Sequence, residues 1–199
     1  MEGLILMAKT GYSGITKATP NNILFGAGTI HKNLKYSEGA WNFEESIVGA
    51  TSGGSKLSYV PEITPIELDG ADVLIAELDV KTGETGSMEI NFAELTQDLI
   101  KSAIIGKEGE SEDTNYNLIQ SKGDIEKGDY WENIAFVGRN LKGKFMIVIM
   151  ENAICTSGLE LEGKAKENSV GAWKFEPRAS LEGAHNVLPI KIYTPKTTA

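Results

Sequence analysis

The chain has 199 residues, with 28 acidic against 19 basic side chains and a formal net charge of −9. That length suits one domain spanning residues 1–199, and it is long enough to bury a sizeable core. The charge argues against a protein that wraps nucleic acid through phosphate contacts, which needs clustered Lys and Arg; it does not exclude a surface that DNA slides past without sticking.

Residues 1 to about 20 are rich in Gly, Ser and Thr apart from the apolar patch Leu4-Ile5-Leu6-Met7. This patch has too little apolar surface to order itself, and reads as an arm docking on a neighbouring subunit, as a disordered terminus or as an added first strand. It follows Glu2, lacks a basic leader and is too short for a signal peptide, so the expected site of synthesis and folding is the cytoplasm. No apolar run in the chain approaches the ~20 residues needed to span a bilayer.

Asn22 to Phe25 and Thr29 to Tyr36 read as strands split by Gly26-Ala27-Gly28. Glu38 to Ser55 shows little periodicity, yet carries Trp41, Phe43, Ile47 and Val48 before Gly49-Ala50-Thr51-Ser52-Gly53-Gly54. A long loop with apolar residues either contacts another surface or folds back over its own core. Leu57 to Val60 and Ile63 to Leu68 read as short strands, the second interrupted by Pro65, which suits a sheet edge or a bulge. Val73 to Val80 and Ser87 to Phe92 read as a hairpin around the turn residues Lys81 to Gly86. Phe92, Leu95, Leu99 and Ala103 recur at helical spacing, which predicts a helix over about 92–105 with Gly106 at its stop. Phe92, Leu95 and Leu99 are its expected core face.

Lys107 to Asp113 reads as an acidic loop. Tyr116 to Gln120, Trp131 to Arg139 and Lys144 to Thr156 read as strands, and the continuous apolar run Phe145 to Met150 predicts cover on both faces. Gly158 to Lys166 and Val170 to Ser180 form an expected hairpin, and Ile190 to Tyr193 a terminal strand. The sum is a mainly β fold, an antiparallel sandwich or barrel with one flanking helix.

The chemistry of familiar enzymes is missing. Gly49-Ala50-Thr51-Ser52-Gly53-Gly54-Ser55-Lys56 imitates a phosphate loop, but Ser and Lys stand in reversed order and a strand follows. Gly26-Ala27-Gly28 lacks the third glycine and the helix of a dinucleotide fingerprint. No Gly-x-Ser-x-Gly elbow occurs. His31 and His185 lie far apart, and the acidic run Glu108, Glu110, Glu112, Asp113 has no EF-hand spacing. Cys155 is alone, so it forms no intrachain disulfide and reads as a small buried hydrophobe. The expectation is therefore a non-enzyme with no cofactor and no metal.

The order strand, strand, hairpin, helix over Pro61 to Gly106 follows a Pro61-x-x-x-x-Ile66-x-Leu68-Asp69-Gly70 run. With Asn22-Ile23-Leu24-Phe25-Gly26, Gly49 to Gly54 and the C-terminal pair of β segments, it resembles the tail-tube (major tail) proteins of long-tailed bacteriophages. The resemblance implies a virion structural protein. Its copies close into six-fold rings with inner strands joined into one barrel, and rings stack into a hollow tube that conducts DNA to the host. The implied partners are further copies of itself and the tape-measure, baseplate or tip, and tail-terminator proteins. DNA would pass through the lumen without specific binding, and no membrane is involved. In that family the long loop between early strands reaches the adjacent ring; by position it corresponds to about Trp41 to Ser55, within a loop over 38–55. Trp41, Phe43, Ile47 and Val48, together with Leu4 and Ile5 of the arm, are thus the expected inter-ring contacts. Read as a strand, Asp72 to Val80 puts Glu77 and Asp79 on one face, joined by Glu89 of the partner strand. These acids either line the lumen or lie on the tube exterior. The inner tube of a contractile tail, a phage-derived bacteriocin or a related secretion apparatus shares the same pattern. A β-sandwich capsid decoration or receptor-binding module is the alternative from another class.

Overall fold

The computed structural model describes residues 14–161, 163, 165, 166 and 169–196. Leu4 and Ile5, and with them the expected arm contacts, lie outside the described residues. The fold is mainly β and antiparallel, a sandwich with a flanking helix.

A helical turn, α1 (Thr19–Asn22), leads into β1 (Leu24–Lys32). The two strands expected on either side of Gly26 are one strand, with a register shift between Phe25 and Thr29. Gly28 permits it: its φ is 70°, and a Cβ there would lie 2.4 Å from the Phe136 ring. The strand stops at Asn33, whose φ is 55°. Next come β2 (Tyr36–Ser37), β3 (Ala40–Trp41) and the turn α2 (Phe43–Ser46).

The chain then enters β4 (Thr51–Pro65), which pairs antiparallel with β5 (Asp79–Phe92) along nearly its whole length. Here the structure departs most from the sequence reading. Leu57–Val60 and Ile63–Leu68 are not separate strands, Val73–Leu78 is not a strand, and Lys81–Gly86 is not a turn. The reversal lies at 66–78 and closes through the 3-10 turn Ala76–Leu78, with Ile66 N–H donating to Leu78 O at 3.1 Å. The turn-forming residues Lys81–Gly86 are tolerated in mid-strand because this half of β5 lies beyond the apolar core, which the strand joins only from Met88 onward.

The helix α3 (Gln97–Ala103) is shorter than 92–105. Phe92 ends β5, and Ala93 N–H still donates to Ala50 O at 2.9 Å, so ribbon pairing outruns the start of the helical spacing. Thr96 caps the helix by accepting from Leu99 N–H at 3.4 Å. Leu99 and Ala103 are buried, but Leu95 precedes the cap and is 37% exposed, so it is not a core residue. The left-handed stop falls on Ile105, with φ 49°, and Gly106 already begins β6 (Gly106–Gly109). Part of the expected acidic loop is thus a hairpin strand, paired with β7 (Leu118–Ser121).

The remaining strands are β8 (Trp131–Asn140), β9 (Phe145–Cys155), β10 (Gly171–Glu176) and β11 (Ile190–Tyr193). They follow the expected positions, except that Gly158 to Lys166 supplies no strand among the described residues. β10 pairs instead with β5 and with the end of β9. The strand order is β1-β8-β9-β10-β5-β4, with β11 on β9. β9 therefore holds β11 along Ile147–Met150 and β10 at Ile154–Cys155, and the sheet folds over at that junction.

Two cores lie on the two faces of β8 and β9. The larger joins Ile30, Ile134 and Met150 to Met88, Ile90, Phe92, Trp173 and Phe175 of the opposing strands, and to Leu99 of α3. Trp173 Nε1–H donates to Leu99 O at 3.2 Å, which pins the helix to the sheet. Asn152, with φ 47°, interrupts the extended run, and beyond it Ala153 and Cys155 join the same core as Met150. The smaller core is Leu34, Ala135, Val137, Ile147 and Ile149 on the outer face. The run Phe145 to Met150 is thus covered on both sides from Ile147 onward, while Phe145 stays 40% exposed.

Candidate functional site: the β4–β5 ribbon

The segment expected to contact a neighbouring ring packs against the smaller core of its own chain. Trp41 and Phe43 are half-buried against it. Trp41 meets Tyr193 edge-on at 5.2 Å, and Phe43 lies 5.1 Å from Phe145. Below them His31, 2% exposed, holds Ser46 Oγ through Nδ1 at 2.9 Å and Thr29 Oγ1 through Nε2 at 2.8 Å. Ser46 Oγ gives its own proton to Asn42 O at 2.7 Å, so it accepts from Nδ1–H, and Nε2 accepts from Thr29. Burial lowers the His31 pKa, and a hydrogen bond to the Phe43 backbone partly opposes it. Val48 packs on the larger core, and Val48 N–H donates to Ile30 O at 3.0 Å. Of the four candidates in this loop, only Ile47, 52% exposed, presents itself outward. Thr51–Ser55 belong to β4, so the expected loop ends at Ala50.

What does project is the β4–β5 ribbon. Its root is fixed by Met88, Ile90 and Phe92, which alternate into the larger core. A second anchor is Glu84, whose side chain is 5% exposed. Its carboxylate accepts from Lys81 Nζ, from Tyr59 Oη–H and from Leu188 N–H, which ties the ribbon to the segment before β11. The Lys81 bond above all, then those of Tyr59 and Leu188, pull its pKa down to about 2. Gly86 lies under the same segment: a Cβ there would stand 2.8 Å from Ile190 Cδ1.

Beyond these anchors the ribbon is uncovered among the described residues. No residue of β4 is buried over its 15 positions. Val73 is 77% exposed, Leu74 63% and Ile63 60%, with Ile66, Leu68 and Val80 close behind. Strands of globular proteins rarely leave so much aliphatic surface in water unless something covers it. The outer edge of β4 pairs with no strand among the described residues, which leaves a row of backbone donors and acceptors about 50 Å long. At the other end of the sheet, Ile47 and Val48 partly cap the edge of β1.

The three acidic candidates do not form one face. Glu77 sits in the 3-10 turn and Asp79 opens β5 opposite Pro65, both exposed. Glu89 lies ten residues further along β5, about 30 Å away at strand spacing. A register shift between Glu62 and Ile63 leaves Thr82 unpaired and inverts the alternation between them. Asp79 shares the face of Ile63 and Lys81, and Glu89 the opposite one. Glu89 also stands in register between Lys56 and Lys174, with Lys56 Nζ at 3.9 Å. It is a neutralised position in a charge row. Glu77 and Asp79 have no ion pair among the described residues.

The signal for the ribbon was present but divided. Six carboxylates, Glu62, Glu67, Asp69, Asp72, Glu77 and Asp79, and no Lys or Arg fall between Leu57 and Val80. Among the described residues no cluster of His, Cys, Asp and Glu is placed to hold a metal ion, and no helix is long and apolar enough to cross a membrane. The chain matches no protein-family model, and a search of curated proteins also finds no match.

Proposed function

We propose that this chain is a structural, tube-forming protein of the kind that builds the tails of long-tailed bacteriophages. Copies associate into rings, rings stack into a hollow tube, and DNA leaves a phage head through it. The tape-measure, tip and terminator proteins would then set its length and ends. The observation that carries this reading is the β4–β5 ribbon: an anchored, 15-residue edge strand whose aliphatic end has no cover among the described residues. A monomer with such a ribbon is an association hazard, and pairing or covering it in an assembly removes the hazard. Contacts whose rotation closes give a ring, and stacking contacts that do not close give a polymer. The acidic balance supports passage of DNA without adhesion. Negative-stain microscopy of the purified protein at rising concentration tests the reading. Hollow tubes of uniform diameter are the expected result. A monomer that persists at millimolar concentration, with or without an initiating tail tip, refutes it. Discrete trimers would favour a decoration or receptor-binding module.

A further inference from the structure

Charge is segregated in this chain, and each half of the segregation carries exposed apolar side chains. The ribbon end is the acidic half: Leu57 to Val80 holds six carboxylates and no cation, with Val73 and Leu74 the most exposed of its aliphatic residues. The basic half is the end of the sheet where β8 turns into β9. Asn133 to Met150 contains Arg139, Lys142 and Lys144 and no carboxylate. Strand register sets Phe25 beside Arg139 and Arg139 beside Phe145, so an aromatic, a cation and an aromatic form a row across three strands. The Arg139 guanidinium lies 5.1 Å over the Phe145 ring. Phe25 is 74% exposed and Leu141 of the turn 51%. Beside the row, Lys144 Nζ donates to Lys196 O at 3.3 Å on the wall of a cavity of about 370 Å³ that Leu24, Met146 and Pro195 also line.

We infer that these two surfaces are partners: the acidic, aliphatic end of the β4–β5 ribbon of one copy docks on the basic, aromatic end of β8–β9 of a second copy. This rests on the reading of the chain as a self-assembling protein and names the contact. In a molecule of net charge −9, most ways of bringing two copies together oppose like charges. Ribbon end against ribbon end would set six carboxylates facing six. Ribbon end against the β8–β9 end sets carboxylates against Arg139, Lys142 and Lys144 and covers aliphatic residues with Phe25, Leu141 and Phe145. The charges select the orientation and speed the encounter, and the apolar area supplies the affinity. The contact joins different surfaces, so each copy keeps one of each free for the next.

Charge reversal tests it. Glu67→Lys, Asp69→Lys, Asp72→Lys and Glu77→Lys together turn the six negative charges of the ribbon end into a net +2, and Lys142→Glu with Lys144→Glu turns the β8–β9 end from +3 to −1; all six positions are exposed. Sedimentation velocity at low salt reads self-association, and circular dichroism with urea unfolding checks that each variant keeps the wild-type fold. Each variant alone should associate at least tenfold more weakly than wild type. An equimolar mixture should associate again, because every ribbon end then finds an oppositely charged β8–β9 end on the other variant. The rescue should fade as salt rises. Variants that individually associate like wild type, or a mixture of folded variants that stays monomeric, would overturn the docking while leaving tube formation standing. A wild type that stays monomeric at millimolar concentration would overturn both.

Discussion

Phe43→Ala separates a residue that holds its own fold from one that holds a neighbour. The Phe43 ring lies 5.1 Å from Phe145, 5.6 Å from His31 and 6.4 Å from Trp41, over the core of Leu34, Val137 and Ile149. Truncating a fully buried Phe costs about 3–5 kcal/mol. Phe43 is half-buried, so about half of that, roughly 2 kcal/mol, is the expected loss. With a urea slope of about 2 kcal/mol per molar, the unfolding midpoint should fall by about 1 M. The measurement belongs at low micromolar protein, where association does not add to stability. Self-association corrected for the folded fraction should be unchanged, and Trp41→Ala should behave alike. Ile47→Ala, at an exposed site, should move the midpoint by less than about 0.5 kcal/mol. If Phe43→Ala unfolds like wild type but no longer associates, the ring faces a partner and the covering role assigned here is wrong.

Leu99→Ala should cost about 2.5–5 kcal/mol because the site is fully buried under Trp173, whereas Leu95→Ala should cost under about 1 kcal/mol; equal losses in urea unfolding would contradict the placement of the helix start at Gln97. His31 is held neutral with its pKa below the ordinary 6.5, so the unfolded chain takes up a proton first as pH falls. Its contribution is intact above about 6.5, declines as pH drops toward the folded-state value, and is flat below it; a His31→Gln variant should lose that slope in unfolding free energy against pH. Glu77→Lys with Asp79→Lys should leave isolated folding unchanged to within about 0.5 kcal/mol, since both side chains are exposed and unpaired. Both belong to the acidic ribbon end, so the variant should also self-associate more weakly; normal tubes that release DNA slowly at low salt would place the two in the lumen instead.

The parts of this fold that were legible in the sequence are those where burial dictates residue type. β8, β9 and β11 appear at their expected positions because a strand covered on one or both faces must be apolar there, and Phe145 to Met150 allowed few other readings. Leu99 and Ala103 were legible as one face of a helix for the same reason. Leu95 and Phe92 share that spacing by coincidence, because the ribbon pairing at Ala93 and the Thr96 cap set the boundary. Periodicity carries no record of either. The cover of the smaller core was within reach. The run Phe145 to Met150 required a covered outer face, and Trp41 and Phe43 were large apolar residues of a loop free to fold back on it. Of the two readings open for that loop, folding back over its own core is the one that gives this face its cover.

The ribbon was not legible in the sequence for the opposite reason. Where no described residue covers a strand, burial does not constrain composition, so Lys81 to Gly83 keep turn chemistry inside β5 and Val73 to Ile75 keep strand chemistry inside a loop. Exposed β-branched residues at a loop tip cost solubility and contribute no stability to an isolated fold. The proposed assembly would give their presence a reason. The unpaired Thr82 sharpens this. By inverting the faces between Glu89 and Asp79, it lets one strand serve two surroundings. On one side of it Met88, Ile90 and Phe92 alternate into the core. On the other, Lys81 and Asp79 share the face of Ile63 in open water. A strand built only to complete this sandwich would have ended near Gly86, where the segment Leu188–Ile190 closes over it. Seven further residues of β5, from Asp79 to Thr85, and their partners in β4 extend past that point. In the proposed docking, the carboxylates carried with them keep that extension soluble and select the surface it meets.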